Sequence, residues 1–590
     1  MKKTTTLLTF ILFFAVTAFA GPVDPDKALE IANSFWKSNS LSGKKAVTLQ
    51  LATENGMSKS GSRLDIEEGN AQYYLITPQE GNGFVIVSGE DRMSPIVGYS
   101  TANTADEMPP ALADWLSLYS EYVDDVRTGK IEPAITKGAT GPAIAPLLQT
   151  SWNQSAPYNN LCPFDGGSRS VTGCVATAVA IVMRYHKWPE SGEGIIPAYT
   201  TSSKGISIPA IELGYEYDWD NMPLTYPQYG YTDAQAQAVA RLMADCGAML
   251  TMDYSADASG TACELIPGAL DSFMKYDGSI GAYSRAFYTD EEWHAMMRQE
   301  LADNGPVIYS GNDGSVGHAF VLDGYTDQGY YSLNWGWGSY CDGYYTLDAL
   351  NPSGQGIGGS EGGYNLGQTA ILNVKKEEGG YADVRGVIYT YNDISGLQAD
   401  RTVFEPGVTF LLSTGLLVNA GSETFTGPMG FVIMDADDQA KEVVASFNAE
   451  LPVGYGYFFD RTALQFSSEL EFGDHLIAAM YDSRKGKWVK MLAEKTEGAV
   501  DAIPLCDAAS IAQSTSFEYN TQTKVITLGV KDGVSASVLT EAGVVVDGVV
   551  QSSGNVVTVA TASMEPGRYR LILSKASEAH EMYFVVGSEE

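Results

Sequence analysis

The amino-acid sequence predicts a multidomain protein with a small α+β unit, a larger α+β domain of two lobes, and two all-β, sandwich-like modules. Three observations lead to this prediction. The 590 residues are too many for one hydrophobic core. Up to about residue 376 the chain mixes helical and strand-like patterns, with helices before strands in the second part. Beyond residue 377 all the patterns are strand-like runs separated by turns.

The chain begins with the features of a secretory signal. Lys2 and Lys3 precede the apolar run Leu7–Val16, and the small-x-small sequence Ala18–Ala20 follows. The apolar run is too short to span a bilayer, and no later segment is long and apolar enough for a membrane helix. We therefore expect residues 1–20 to be removed and the mature protein to be exported without a membrane span.

The composition excludes several classes of function. The chain has 72 acidic and 36 basic residues, and its formal net charge of −36 repels nucleic acid and anionic lipid. Six cysteines are too few for a disulfide scaffold, and the lack of a CxxC pair argues against structural zinc. We expect no nucleic-acid partner, no metal and no cofactor.

Residues 21–137 predict a compact α+β unit. Pro25 precedes apolar residues spaced as one face of a helix, two strand-like runs follow, and a second helix is expected after Pro109 and Pro110. Because this unit contains no histidine and no cysteine, we place no chemistry in it. The Gly/Pro/Ala-rich stretch Thr136–Leu148 then indicates an exposed linker.

The stretch TGCVATAVAIVMRYHKWP, residues 172–189, raises the question of whether Cys174 is a core residue or a nucleophile. The apolar residues after it recur at helical spacing, so we expect a helix that is buried on nearly all sides and ends near Trp188 and Pro189. Cys174 then lies in the first turn, where unpaired N–H groups and the positive end of the helix dipole favour a thiolate. A buried core cysteine is the alternative, since free cysteine is among the most buried residue types.

A cysteine nucleophile needs a base, and the chain has five histidines. His186 lies on the same helix as Cys174, about 18 Å away by helix rise, and is too far. His294 is expected on the polar side of a capped helix, as a solvated surface residue. His475 and His580 lie in the β modules. His318 is the remaining candidate.

Asn334 is expected beside His318. His318 opens an apolar strand behind Gly317 in GSVGHAFVLDGY, and Asn334 closes the next strand-like run in LNWGWG. A hairpin would bring these two strand ends together, so the Asn334 amide would hold the imidazole tautomer and the tryptophans would shield it. Cysteine, then histidine, then asparagine is the order of a papain-type site.

These stretches resemble the streptopain-like cysteine peptidases of the papain-like clan. The resemblance rests on WNQSAPYN, GCVATAVAIVMRYHKWP, GHAFVLDGY, LNWGWGSYCDGYYTLDALNP and the glycine loop GQGIGGSEGGYN, which occur in the family's order between residues 138 and 376. Residues 21–137, notably GFVIVSGEDRMSPIVGYS, are similar to the family's inhibitory propeptide. The resemblance implies a papain-like, two-lobed α+β catalytic domain at 138–376 behind an α+β propeptide. The QxxxCGxCW surroundings of papain itself are absent.

The resemblance also implies roles for individual residues. Cys174 would be the nucleophile, and His318 would be the base that becomes the acid for the leaving amine. Asn334 would orient His318. The Gln154 side chain would join the Cys174 backbone N–H in binding the developing oxyanion. The expected substrate-side residues are Gly317, Trp335 and Trp337.

The activity implied by the resemblance is that of a secreted cysteine endopeptidase made as a zymogen, with protein or peptide substrates and its own propeptide as intramolecular inhibitor. A Cys–His amidase or a transglutaminase-type acyl transferase is an alternative, with Asp323 as the near carboxylate. A surface adhesin or binding protein is another, favoured by the β modules. The GxGxxG match at 354–359 is interpreted as a mobile substrate-side loop without a nucleotide.

Two β modules are expected after the catalytic domain, at 377–505 and 506–590. The second contains VSASVLTEAGVVVDGVVQSSGNVVTVATASMEPGRYRLILS, which is similar to the C-terminal sorting domains that some Gram-negative secretion systems read and remove. The alternative is an accessory β-sandwich that binds substrate or surface glycan.

Overall fold

The structure is a computed structural model of the chain. It describes residues 21–39, 48–51, 71–130, 142–227, 230–312, 317–347, 368–505 except 403, 472 and 497, and, with short gaps, 518–586. The expected signal sequence, the glycine loop and Cys506 lie outside the described residues. The chain divides into two compact units: Met1–Lys275 with Glu291–Lys376, and Tyr276–Asp290 with Glu377–Glu590.

The helices of the described chain all precede residue 304. They are α1 (Pro25–Asn39), α2 (Pro110–Arg127), α3 (Cys174–His186), α4 (Asp233–Met249), α5 (Ile266–Met274) and α6 (Asp290–Asp303). Short 3₁₀ turns lie at Trp219–Asn221, Cys263–Leu265 and Arg285–Phe287. None of the described helices is long and apolar enough to cross a membrane.

Helix boundaries follow from the local sequence. Helix α2 begins with Pro110 directly after Pro109, since a proline in the first turn sacrifices no internal hydrogen bond. Helix α4 begins after Thr232, which forms a capping box with Gln235. The nine residues Val175–Met183 of α3 are all buried, as the sequence pattern predicts, and α3 ends at His186.

One antiparallel sheet dominates the first unit. Its strands are β1 (Leu49–Leu51), β2 (Tyr73–Pro78), β3 (Phe84–Ser88), β4 (Ile96–Ser100), β5 (Val307–Asn312), β6 (Gly317–Tyr325), β7 (Tyr331–Asn334), β8 (Gly343–Tyr345) and β9 (Thr369–Leu372). The order of these strands is β1-β2-β3-β4-β8-β7-β6-β5-β9. Two-residue strands form three antiparallel pairs outside it: Phe164–Asp165 with Ser168–Arg169, Ile195–Ile196 with Ile211–Glu212, and Tyr199–Thr200 with Ser207–Ile208.

The sheet joins the N-terminal α+β unit to the later domain. Strand β4 pairs with β8, with Tyr99 opposite Tyr344 and Gly98 opposite Tyr345. A Cβ atom at Gly98 would lie 2.4 Å from the Tyr345 ring, so the close approach requires glycine. Residues that the sequence assigns to separate domains therefore share one continuous sheet.

In the second unit, every regular element described after residue 377 is a strand. The first group comprises Gly386–Tyr389, Leu397–Ala399, Phe410–Thr414, Leu416–Asn419, Phe425–Met434, Ala440–Leu451, Gly456–Tyr457, Thr462–Leu464, His475–Asp482, Lys487–Lys490, Leu492–Ala493 and Ala502–Pro504. The second comprises Glu518–Asn520, Val525–Gly529, Ser535–Thr540, Val550–Ser553, Val556–Ala560, Gly567–Lys575 and Glu578–Val586. Each group encloses its own hydrophobic core. A further strand of this unit, Gly281–Ser284, lies earlier in the chain.

Candidate active site

The entry to helix α3 is shaped around Gly173. Its φ of 86° is a conformation that favours glycine, and an added Cβ would lie 2.8 Å from both the Met252 sulfur and the Ser259 carbonyl oxygen. The Thr177 hydroxyl donates to the Gly173 carbonyl at 2.9 Å and fixes the first turn. Cys174 is therefore held as the first residue of the helix, as the sequence predicts.

Cys174 is a partly buried residue, and its thiol has an environment suited to a thiolate. Its Sγ accepts a hydrogen bond from the backbone N–H of Ala319 at 3.5 Å. Burial alone would raise the pKa of Cys174, but His318 and the N–H groups of Ala319 and Val175 outweigh burial and lower the pKa. These are the electrostatic conditions that activate a cysteine nucleophile.

The other described cysteines lie in the opposite environment. All four are buried and free of disulfide bonds. Burial raises the pKa to about 12 for Cys162, Cys263 and Cys341, and well above its usual value for Cys246. A thiol with such a pKa is inert as a nucleophile at neutral pH. Cys174 is therefore singled out among the cysteines that the structure describes.

His318 is brought to Cys174 by strand β6. It is the second residue of the strand, and the next residue, Ala319, donates its N–H to the Cys174 sulfur. Burial alone would lower the pKa of His318, but the Cys174 thiolate and the Asp114 carboxylate outweigh it and raise the pKa. Both shifts favour a thiolate paired with an imidazolium.

Asp114 is hydrogen-bonded to the Nε2 atom of the His318 imidazole. Its Oδ2 lies 2.6 Å from His318 Nε2, and its side chain is 49% exposed. Asp114 belongs to α2, in the N-terminal unit that has no histidine and no cysteine. The spacing within α2 marks the buried face of the helix, but no local pattern indicates a partner 204 positions away.

The expected hairpin of β6 and β7 is present, but Asn334 is not hydrogen-bonded to His318 in this structure. Strand β7 places Asn334 opposite Val321, three residues beyond His318. The Asn334 amide donates to the Thr150 carbonyl at 2.6 Å, and its Oδ1 accepts the Gly336 N–H at 3.0 Å. Both groups of the amide are thus engaged, while His318 Nε2 is engaged by Asp114.

Gln154 lies close to the entry of α3. It is buried, and its carbonyl oxygen accepts the N–H of Thr172, two residues before Cys174, at 3.2 Å. Gly317 begins β6 opposite Asn312. Trp337, close to the turn after β7, is only partly buried.

Trp335, expected on the substrate side of the site, is a packed side chain in this structure. Its ring is 2% exposed and packs against Phe320 and Tyr345, with ring centroids at 4.9 Å and 5.3 Å. Its indole N–H donates to the Cys341 carbonyl at 3.2 Å. Trp335 is therefore a core residue in this structure, and a substrate-side role for it stays a prediction.

His294 is also placed differently from the sequence expectation. It is 4% exposed, and its Nδ1 lies 2.9 Å from the Tyr331 hydroxyl, with the two rings stacked. The expectation of a solvated surface residue is wrong, because this face of α6 packs on β7. Asp323, the carboxylate considered for an acyl transferase, is buried and accepts the Leu148 N–H at 2.9 Å.

Comparison with known proteins identifies the family. The Peptidase C10 family model matches residues 152–345, and the model for the Spi protease inhibitor matches residues 20–123. Streptopain of Streptococcus pyogenes is 34% identical over 313 residues, which cover 50% of this chain and 78% of streptopain. The chain belongs to the peptidase C10 family. Its C10 domain is a cysteine endopeptidase domain, and the inhibitor-like region in front of it is a propeptide.

Other relatives match different shares of the chain. The thiol protease/hemagglutinin PrtT of Porphyromonas gingivalis is 32% identical over 397 residues, 64% of this C10 chain but only 44% of PrtT. The prointerpain A fragment of Prevotella intermedia matches with 31% identity and a TM-score of 0.46, covering 56% of this chain and 99% of the fragment. Active interpain A matches with 36% identity and a TM-score of 0.36, covering 41% and 98%.

Proposed function

We propose that the whole protein is an exported cysteine endopeptidase that its own N-terminal segment keeps inactive, and that it hydrolyses proteins or peptides after this segment is released. The observation that carries the proposal is the pairing of Cys174 with His318. The pKa of the Cys174 thiol is lowered there, whereas burial raises the pKa of the other described cysteines.

The proposed reaction uses Cys174 and His318 in two steps. The Cys174 thiolate attacks the carbonyl carbon of the scissile peptide bond, and His318 donates its proton to the leaving amine, which leaves a thioester. Water then attacks the thioester while His318 accepts a proton, and the carboxylic acid departs. The Cys174 N–H at the start of α3 and the Gln154 side chain are proposed to bind the oxyanion.

The contact of Asp114 supports a direct role of the propeptide in latency. The Asp114 carboxylate is hydrogen-bonded to His318 Nε2, while the Asn334 amide is hydrogen-bonded to the Thr150 carbonyl. We propose that release of the propeptide frees His318 Nε2, so that Asn334 can become its partner. Cleavage is proposed between about residues 127 and 150, a stretch whose residues 131–141 lie outside the described part of the chain.

The export signal at 1–20 and the role of residues 506–590, either sorting or an accessory function, stay predictions.

Casein hydrolysis by the self-processed protein tests the proposal. The Cys174→Ala variant, supplied with the same cleavage between propeptide and enzyme by an added protease, should have no detectable hydrolysis. Cys162→Ala, which removes a buried thiol of raised pKa, should keep wild-type turnover and serves as the matched control. Hydrolysis by Cys174→Ala above a few per cent of wild type would contradict the assignment. Incorporation of a labelled primary amine into casein without hydrolysis would instead favour the acyl-transferase alternative.

A further inference from the structure

One segment of the chain lies in the peptidase region by sequence and in the second unit by structure. The Peptidase C10 match runs from residue 152 to residue 345, and Tyr276–Asp290 falls inside it. The residues on both sides of this segment belong to the first unit, whereas the segment itself forms one compact unit with Glu377–Glu590. We call Tyr276–Asp290 the docking segment and residues 377–505 the first β module. Because both ends of the docking segment continue into the first unit, whatever binds this segment is held to the peptidase domain.

One sheet of the first β module buries apolar residues on both of its faces. In this sheet Ile388 pairs with Leu417, and the neighbouring Val387 pairs with Val418. Because successive side chains of a strand point to opposite faces, these two pairs lie on opposite faces of the sheet. The first pair belongs to the module's own core. The second pair packs around Phe287 of the docking segment, so one face of the sheet is covered by the docking segment.

Phe287 is the apolar anchor of the docking segment. It is 3% exposed, and its ring meets the Tyr389 ring edge to face at a centroid distance of 5.2 Å. Beside it, the Ala286 carbonyl accepts the backbone N–H of Lys495 at 2.7 Å. A buried aromatic ring removes a large apolar area from water, and such rings carry much of the binding energy of protein interfaces. Phe287 therefore fixes the docking segment on the module.

A guanidinium of the module stacks on the docking segment at a second place. Arg385 lies over the Tyr283 ring, 3.9 Å from its centroid. The same guanidinium donates to the Ala420 carbonyl at 2.6 Å, which holds it in the stacked position. A planar cation over an aromatic face is attracted to it, and the attraction grows where water is excluded.

Asp277 binds the first residues of the module's chain at a third place. It is fully buried, and its Oδ2 accepts the N–H groups of Glu378 and Gly380 at 2.8 Å and 2.9 Å. A Cβ atom at Gly380 would lie 1.9 Å from Asp277 Oδ1, so this close approach requires glycine. Hydrogen bonds to a carboxylate are stronger than those between neutral groups. The docking segment thus holds the start of the module by bonds that do not depend on the peptide link at residue 377.

We propose that the first β module is a permanent part of the enzyme, which the docking segment holds by non-covalent contacts even after the chain between them is cut. Residues 376–380 are exposed, so a protease can reach this junction. The product of such a cut is a two-chain enzyme, because the apolar anchor, the stacked guanidinium and the buried carboxylate remain in place. The proposal does not depend on peptide hydrolysis by this chain, so its failure leaves the proposed enzymatic function untouched.

Cleavage of the full chain at this junction tests the proposal, in a Cys174→Ala background that prevents self-cleavage. A recognition sequence for a site-specific protease is inserted between Glu377 and Glu378, which are both exposed. After the cut, the two fragments should elute together in size-exclusion chromatography at micromolar concentration, at the position of the uncut chain. Two separate peaks would overturn the proposal.

Phe287→Ala assigns the binding to the docking segment. In the cut chain it should weaken the association of the fragments about a hundredfold or more, as measured by dilution, because a buried ring is lost. Phe164→Ala is the control, since Phe164 also lies within the C10 match but is 56% exposed and belongs to the first unit. Its fragments should stay together.

A second variant keeps the test decisive if Phe287→Ala does not fold. Arg385→Lys retains the positive charge but loses the planar group that stacks on Tyr283, and it should weaken the association several-fold. The role of the docking segment is also overturned if the fragments of both variants associate as tightly as those of the Phe164→Ala control.

Discussion

Substituting Asp114 by asparagine should weaken inhibition by the propeptide without unfolding it. The bond to His318 Nε2 joins a carboxylate to an imidazolium at 2.6 Å. Hydrogen bonds between charged groups contribute about 1.5–3 kcal/mol, and solvent screening of the half-exposed Asp114 reduces this to roughly 1–1.5 kcal/mol. That loss corresponds to a Ki for the 21–137 fragment about five- to tenfold higher with Asp114→Asn than with wild type. The strand pair β4–β8 is unchanged, so inhibition should be weakened and not abolished.

Asp125→Asn is the control for this measurement. Asp125 lies on the same helix and bonds Lys130 at 2.6 Å, and its side chain is 40% exposed. Its carboxylate has no hydrogen bond or ion pair with the part of the peptidase domain that the structure describes. Its variant should inhibit mature enzyme as strongly as the wild-type fragment does. Equal Ki values for the two variants, or for Asp114→Asn and wild type, would refute the role given to Asp114.

The same measurement should depend on pH in a defined direction. Burial alone would lower the pKa of His318, but Cys174 and Asp114 raise it in the inhibited form. A group whose pKa is raised in the inhibited form stabilises that form fully below its usual pKa, which is about 6.5 for histidine. This stabilisation is lost as pH rises through the raised pKa. The ratio of the Asp114→Asn to wild-type Ki should therefore be largest near pH 6 and approach one in alkaline buffer. A ratio that grows with pH would contradict the imidazolium assignment.

Three further predictions concern the site itself. His318→Ala should slow iodoacetamide labelling of Cys174 at neutral pH, because the thiolate loses the partner that lowers its pKa, and equal labelling rates would exclude the pairing. Gln154→Ala should lower kcat by about 10²–10³ with KM little changed if the side chain binds the oxyanion, and a change confined to KM would assign it to substrate binding instead. Gly173→Ala should destabilise the fold by roughly 1–3 kcal/mol in denaturant titration, since the new Cβ meets Met252 and Ser259 in a positive-φ conformation, and an unchanged midpoint would contradict that strain.

The parts of the site that depend on local pattern were predictable from the sequence. The apolar spacing after Cys174 defines a buried helix, and Gly317 before an apolar run defines the start of the strand that carries His318. These two elements could be predicted because the spacing of apolar residues and the presence of turn residues determine structure over only a few positions.

The partners of the site residues were not predictable in the same way. Whether His318 Nε2 meets Asn334 or Asp114 depends on a helix from another part of the chain, and the competing carbonyl of Thr150 decides where the Asn334 amide points. Burial of His294 likewise depends on how α6 packs against β7. Tertiary contacts of this kind leave no periodic pattern in the sequence. The sequence therefore predicts which residues lie at the site better than it predicts which of their atoms form hydrogen bonds.

The pairing of β4 with β8 also determines what maturation leaves behind. If the propeptide is released, β8 would change from an interior strand to an edge strand, and its unpaired backbone groups would become available to an extended chain. The ring of Tyr344 simultaneously loses its stacking partner Tyr99, at a centroid distance of 5.1 Å. Loss of the propeptide would therefore expose both the backbone edge of β8 and the ring of Tyr344, which the propeptide covers in this structure.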